Sequence, residues 1–313
     1  MWSWLLILYT IYVPVFSCLW LLEMSFVLIY RKEFSSSYYF FFVLCGALSL
    51  INELIINFGT RLPLFPEVNA FFGTVPWIQH GQLPSLLFAF GHFFGGAHET
   101  VNILTSINRA TAIIMPQSHD KIWKYGIPLS CLIVFLVGAA GSWHLFDSTT
   151  IFFPFMFDGE VYFTMFQDYS KHPEISDTRN AVIVALVSPS ISVPLYAVAI
   201  CVLRKKWKLK RIRTEFSLLL LGFSSVILSL PIAFHQLYAY IRGKSLTQDE
   251  IMTLYRMLPW LFDLRFFSPT VLVLITDSKM RRKLVNLFDF RKRRSNFRHQ
   301  PTVSTMTSSV VRR

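Results

Sequence analysis

The sequence is poor in charged residues. Only 15% of its 313 residues are Asp, Glu, Lys or Arg, whereas a soluble domain carries about 25%. Hydrophobic residues make up 53%, and apolar windows near 20 residues long, the length that crosses a bilayer, recur along the chain. This scarcity of charge excludes an ordinary soluble protein and predicts an integral membrane protein.

Cysteine is also scarce, and its positions suggest no cross-link. The four cysteines fall inside apolar stretches, where cysteine acts as a small hydrophobic residue. Neither a disulfide framework nor a zinc pattern emerges from their spacing. The chain also lacks an Asn-x-Ser/Thr glycosylation sequon, so no sugar fixes which loops lie outside.

The histidines lack the spacing of a metal-dependent membrane hydrolase. A helix that holds a metal ion needs His at i, i+4 or a His-x-x-x-Glu pair. His92 and His98 are six residues apart, and neither they nor His144 and His235 have such a partner. We therefore predict no enzyme, no metal site and no cofactor.

Positive charge is concentrated in two places. Residues 204–213 hold seven basic side chains, and residues 277–313 hold eleven against two acids, within a formal net charge of +12. A basic run between two apolar stretches is typical of a cytoplasmic loop under the positive-inside rule. We therefore prefer membrane lipid to nucleic acid as the partner of these segments.

Seven apolar stretches have the length of membrane spans. They cover about residues 5–30, 38–58, 82–115, 127–146, 180–203, 216–241 and 253–276. The predicted fold class is therefore all-α, a seven-transmembrane helix bundle over residues 1–276. No internal repeat of the kind that marks many transporters is visible.

The Lys/Arg count predicts the orientation of this bundle. The loops after the first, third and fifth spans, together with the tail, hold 23 basic residues, against 5 in the other loops. This bias predicts an N-terminus outside and a tail, residues 277–313, in the cytoplasm. The tail begins with an apolar and basic pattern over about 278–290 that predicts a short amphipathic helix on the inner leaflet. The Ser/Thr-rich remainder is expected to be disordered.

A polar stripe runs along the third span. His98, Asn102, Thr105 and Arg109 follow one another at i, i+4, i+7 and i+11, which is one face of a helix. Such a stripe on an apolar helix should face other protein or a wet cavity rather than lipid. We therefore expect this helix at the centre of the bundle.

The exit of the third span resembles a known family. The stretch SINRATAIIMPQSHDKIWK, with Asn108-Arg109, Pro116 and Lys121-Ile122-Trp123, is similar to the nematode chemoreceptors called serpentine receptor class gamma (Srg). Weaker matches run through the rest of the chain, and the related class Srv shares much of the pattern. They are Tyr12-Val13-Pro14, Arg61-Leu62, Glu215 with Ser217-Leu218, and Ser268-Pro269 before the basic stretch 279–283.

The resemblance implies a G-protein-coupled receptor type of architecture with its own variations. Asn108-Arg109-Ala110 stands where rhodopsin-like receptors have Asp-Arg-Tyr, and Ser268-Pro269 begins the counterpart of their Asn-Pro-x-x-Tyr motif. No cysteine is present for the usual disulfide between the third span and the second outer loop. The family's architecture is expected to be kept, while its activation mechanism is left open.

The candidate site residues come from polar groups within the spans. His98, Glu99, Asn102 and His235 are the candidate ligand contacts. Asn108 and Arg109 are the candidate signalling switch, although Arg109 could instead be an interfacial anchor near the headgroups. The candidate intramembrane polar network is Asn52, Glu53, Arg256 and Asp263, for which structural pairing and ligand contact both remain open.

The resemblance implies a chemosensory receptor in the plasma membrane. It would bind an external small molecule and activate a heterotrimeric G protein. The alternative is a seven-span ligand-gated channel or transporter, and a membrane scaffold without ligand is also compatible with the sequence. Insect-type odorant channels have their N-terminus inside, which the basic asymmetry argues against.

Overall fold

The computed structural model describes residues 2–65, 68–79, 82–157, 159–168, 170–172, 175–205, 212–243 and 245–288. Most of the basic run at 204–213 and the whole Ser/Thr-rich tail lie outside these residues. The expectations for those two segments therefore stay predictions.

Within the described residues the chain folds mainly into α-helices. Seven are long: α1 Trp2–Ile29, α2 Ser37–Ile56, α5 Gln82–Ile114, α6 His119–Phe146, α7 Asp177–Lys205, α8 Ile212–Arg242 and α9 Gln248–Thr276. Three are short: α3 Asn69–Thr74, α4 Pro76–Gln79 and α10 Ser278–Phe288. Each long helix coincides with one of the predicted spans. The largest difference is α6, which begins eight residues earlier than expected.

Six described helices are long and apolar enough to cross a membrane: α1, α2 with the turns that follow it, α6, α7, α8 and α9. The outward face of α6 carries Leu129, Leu132 and Phe135, each more than half exposed. Apolar side chains exposed in this number are what a bilayer covers. The predicted third span, α5, has 33 residues but does not belong to this set.

Helix α5 occupies the centre of the molecule, as the polar stripe predicted. It packs against α2, α6, α7 and α8, and α9 packs against α8, α2 and α1. Trp20 of α1 is fully buried, and its indole N–H donates to the Phe266 carbonyl of α9 at 2.8 Å. Gly46 lets α2 approach this indole, because a Cβ atom there would lie 2.7 Å from the Trp20 ring.

Two polar caps fix the ends of α9. Thr247 and Glu250 form a capping box at its start, in which each side chain accepts from the other residue's backbone N–H. At its end, Arg281 donates to the free carbonyls of Leu274 and Ile275. Asp277 then accepts from the first N–H groups of α10, so the chain turns there.

Helix α10 confirms the predicted amphipathic helix as far as Phe288, and residues 289–290 lie outside the described part. Its apolar face was expected on lipid. Met280 is instead fully buried against the side chains of the bundle, and Lys283 donates to Glu33 at 2.7 Å. The helix is therefore held by protein contacts as well as by any membrane surface.

The all-α expectation is wrong for the loop between α6 and α7. Strands β1 Thr150–Phe157 and β2 Glu160–Gln167 form an antiparallel hairpin in which Phe157 pairs with Glu160. Gly159 has a φ of +76°, which glycine adopts without strain. The sequence Asp158-Gly159 between two apolar runs is a hairpin signal that the composition of this loop concealed. Phe152 and Phe163 of the hairpin pack against Phe72 of α3.

Candidate functional site

A cavity of about 500 Å³ lies at the end of the bundle that carries the hairpin. Its walls come from α2, α5, α6, α7, α8, α9 and β2, and they are largely apolar, with Ile55, Phe88, Val184 and Phe262 among them. The polar groups that concern its chemistry are Asn52, His92, Glu99, Gln167, Asp177 and Arg265. Volume and composition match those of small-molecule sites.

Two glycines leave much of this space open. Gly95 of α5 and Gly141 of α6 both line the cavity. A Cβ atom built on either would meet nothing within 4 Å. A Cβ atom at either position would therefore occupy open space.

An ion pair forms the floor of the cavity. Glu99 of α5 and Arg265 of α9 lie 2.7 Å apart, and both are buried. Arg265 also donates to His98 Nδ1 at 2.8 Å, so that nitrogen must carry a lone pair and the imidazole proton lies on Nε2. His98 Nε2 in turn faces Cys45 Sγ at 3.3 Å. The floor thus ties α2, α5 and α9 together.

The four candidate ligand contacts do not form one site. Glu99 lines the cavity, whereas His98 and Asn102 are not among its walls and lie beneath it on α5. Asn102 borders a second space of about 30 Å³, room for roughly one water molecule. His235 lies within 3.0 Å of the Leu254 carbonyl and links α8 to α9, while Gln236 beside it reaches the cavity.

Arg61 joins two members of the predicted polar network. It lies 2.9 Å from Glu53 and also binds Asp263, which accepts the Tyr12 hydroxyl as well. All three charged groups are buried. The predicted second span ends at about residue 58, which leaves Arg61 in a loop. A π-helical turn, Asn57–Arg61, instead continues α2 and carries Arg61 into the bundle.

The other two predicted members lie elsewhere. Asn52 lines the cavity with a fully buried side-chain oxygen that has no hydrogen-bond partner. Arg256 lies about two turns before Asp263, where its guanidinium is 5.6 Å from the centre of the Tyr162 ring on β2. Glu53 and Asp263 are therefore joined through Arg61, whereas Asn52 and Arg256 each lie apart from them.

Asn108 and Arg109 lie together at the opposite end of α5, and both are buried. Arg109 Nη2 donates to Asn108 Oδ1 at 2.6 Å and to Ser36 Oγ at 3.4 Å, and its guanidinium lies 4.6 Å from the Tyr38 ring centre. Asn108 Nδ2 donates to Ser37 Oγ at 2.6 Å. These contacts, which we call the inner latch, join the end of α5 to the start of α2.

Sequence reasoning missed a histidine beside the inner latch. His119, the first residue of α6, lies 3.1 Å from Ser37 Oγ and 3.3 Å from Thr111 Oγ1. The Trp123 indole donates to the same Thr111 hydroxyl at 2.8 Å. The helical spacing of His119 and Trp123 (i, i+4) was the available signal, since it places both on one face of α6.

Across the described residues, no group of three or more His, Cys, Asp or Glu side chains could hold a metal ion. The pair formed by His144 and Asp177, 2.7 Å apart, has no third such ligand in the described part of the chain.

Comparison with known proteins identifies the family. The model of the Srg family chemoreceptors matches residues 6–284, which is most of the chain. No curated protein matches the chain significantly. The matched segment contains six of the seven long helices in full, all but the first four residues of α1, and the start of α10. The resemblance found in the sequence is thereby confirmed, and the chain belongs to the Srg family of chemoreceptors.

Proposed function

We propose that this protein is a seven-span chemosensory receptor of the plasma membrane that binds an external small molecule in the cavity and activates a heterotrimeric G protein. The observation that carries the proposal is the arrangement of α5. This helix presents Glu99 to the cavity and Arg109 to the inner latch, ten residues further on, or about 15 Å at roughly 1.5 Å per residue.

Charge supports the orientation with the N-terminus outside. The cavity and the hairpin lie at the end of the bundle that holds few basic residues, and the inner latch lies at the basic end. An external ligand would then reach the cavity from its own side, and a cytoplasmic partner would meet the latch.

The burial of Arg109 supports a switch rather than an interfacial anchor. An anchor extends to the headgroups and stays solvated, whereas this side chain is 1% exposed. Its bond to Ser36 and the bond from Asn108 to Ser37 hold α5 against α2, and an outward movement of either helix would release them. A ligand would favour the released state only by binding it more tightly than the latched state.

The test is nucleotide exchange on G protein. Membranes that carry the receptor and mixed heterotrimeric G proteins are exposed to a panel of small amines, alcohols and carboxylates. Any compound that raises exchange with the wild-type chain should fail with Gly95→Leu, which fills the cavity. Arg109→Ala removes the latch cation, so its exchange should already be raised without any compound. Gly95→Ala is the matched control, because one methyl group leaves most of the cavity open.

Two outcomes would contradict the proposal. Unchanged exchange in Arg109→Ala at normal surface levels would remove the switch role of Arg109. A wild-type chain that never raises exchange, but conducts current when the same compounds are applied, would favour the ligand-gated channel instead.

A further inference from the structure

Within the part of the chain that the structure describes, three side-chain oxygens at the cavity wall have no hydrogen-bond partner. They are Asn52 Oδ1 on α2, Gln167 Oε1 on β2 and Asp177 Oδ2 on α7, and each residue is at most 5% exposed. All three are acceptors. A buried acceptor without a donor costs free energy. A ligand that donates hydrogen bonds to these oxygens would recover that free energy.

The hydrogen bonds around Gln167 fix which end of its amide is free. The Ser148 hydroxyl donates its only proton to the Leu145 carbonyl at 3.0 Å, so it can only accept from Gln167 Nε2, 2.8 Å away. The amide nitrogen therefore points to Ser148. The oxygen, Oε1, is left without a donor.

Asp177 brings a carboxylate to the lining of the cavity. Its Oδ1 lies 2.7 Å from His144 Nε2, which donates the hydrogen bond. The other carboxylate oxygen, Oδ2, has no donor among the described residues. The floor pair, Glu99 and Arg265, is neutral as a unit. Among the described Asp, Glu, Lys and Arg side chains that line the cavity, Asp177 is the one outside this pair.

We propose that the cavity selects small molecules with an apolar body and a protonated amine, and that Asp177 and Gln167 receive the ammonium group. The inference deepens the proposed function, because it takes this cavity as the receptor's ligand site. The unsatisfied oxygens are themselves buried, so their side chains turn toward the cavity when the ammonium enters.

A carboxylate ligand would meet a less favourable site. To reach Arg265 it would have to displace Glu99, which would then be a buried carboxylate without a counter-charge. It would also place a negative charge among acceptors. The arrangement therefore disfavours anions even though an arginine lies at the floor.

The test compares three probes of one shape: cyclohexylammonium, cyclohexanol and cyclohexanecarboxylate. Their dissociation constants are measured from the concentration dependence of the unfolding temperature of the purified receptor in detergent. Cyclohexylammonium should bind most tightly. In Asp177→Asn the amide oxygen still accepts from His144. This variant should bind cyclohexylammonium about tenfold to a hundredfold more weakly and should bind cyclohexanol as tightly as the wild type does.

Two further variants separate specific from general effects. Asp249→Asn removes a charge from an exposed position at the start of α9 and should leave amine binding unchanged. Gly95→Leu should abolish binding of all three probes. A carboxylate or alcohol that binds as well as the amine, or an amine preference that survives Asp177→Asn, would overturn the inference.

Binding in this assay needs no G protein, so the two proposals can fail separately. A receptor that couples to G protein but prefers the carboxylate would refute only the ligand class. Amine binding without nucleotide exchange would instead leave the ligand class standing and remove the coupling.

Discussion

At the level of single residues, the bundle balances one buried charge with others. Arg61 lies between Glu53 and Asp263 with all three groups buried, and its guanidinium also lies 4.4 Å from the Tyr9 ring centre. The free-energy cost of removing such a charge from water is offset only while its oppositely charged partners are present. Glu23 is different: it is fully buried, and neither of its oxygens has a hydrogen-bond partner among the described residues.

Removing Arg61 alone should therefore destabilise the protein strongly. Arg61→Met leaves two buried carboxylates without their cation, and we expect a loss of about 3–5 kcal/mol in the free energy of unfolding. The triple variant Arg61→Met, Glu53→Gln, Asp263→Asn removes all three charges and should regain most of that loss. Unfolding of the purified protein in detergent measures both, and a single variant as stable as wild type would contradict the role of this pair of ion pairs.

The matched control is an exposed pair. Lys171 donates to Asp147 Oδ1 at 3.1 Å, and that hydrogen bond lowers the pKa of the Asp147 carboxyl. Both side chains are more than half exposed, so water replaces the lost partner. Lys171→Met should leave the unfolding temperature unchanged.

At the level of elements, the sequence predicted the helices and missed the hairpin. An apolar run of about 20 residues predicts a helix without knowledge of the surrounding helices, because its backbone N–H and C=O groups must form their hydrogen bonds within the segment in a membrane. The start of α6 lay in a polar stretch and gave no such signal, so the first eight residues of that helix went unpredicted. The hairpin was not predicted because its strands are apolar on both faces, so they lack the polar–apolar alternation of a half-exposed strand. The many acids of the surrounding loop also drew attention away from its aromatic residues.

The candidate site was predicted in part, for a similar reason. Periodicity placed His98, Asn102 and Arg109 on one face of α5, and the structure has that helix at the centre. Periodicity within one helix cannot say which residue of another helix faces it. Arg265, 167 residues after His98, is the partner that completes the floor, and Arg61 reaches Asp263 across 202 residues.

The inner latch can be tested at the level of the two elements that it joins. The Ser37 hydroxyl accepts from Asn108 and contacts His119, so it holds α2 against both α5 and α6. Ser37→Ala should weaken the latched arrangement by about 1 kcal/mol. That loss raises the ratio of released to latched receptor about fivefold, which basal nucleotide exchange without any added compound would report.

Ser35→Ala is the control for this change. Ser35 is exposed, two residues away on the same segment, and its substitution should leave basal exchange at the wild-type level. Equal basal exchange in Ser37→Ala and Ser35→Ala would mean that the latch does not restrain signalling.

At the level of the whole molecule, the two ends of the bundle differ in structure and charge. One end carries the cavity, the hairpin and the short helices α3 and α4, and the other carries the inner latch and α10. The structure sharpens the charge asymmetry on which the predicted orientation depends. Arg61 and Arg109 are both buried in the bundle, so neither counts as a loop charge, and the Lys/Arg count becomes 22 against 4.

This asymmetry predicts the topology of the chain in the cell. A tag at the N-terminus should be stained in intact cells, and a tag at the C-terminus should be stained only after permeabilisation, because basic loops stay on the cytoplasmic side. An antibody to a cytosolic protein checks that intact cells exclude the stain. The reverse pattern would put the cavity in the cytoplasm and the inner latch outside, where neither an external ligand nor a G protein could reach its site. The receptor proposal would then fail as a whole, whereas the Srg family membership and the helix packing would stand.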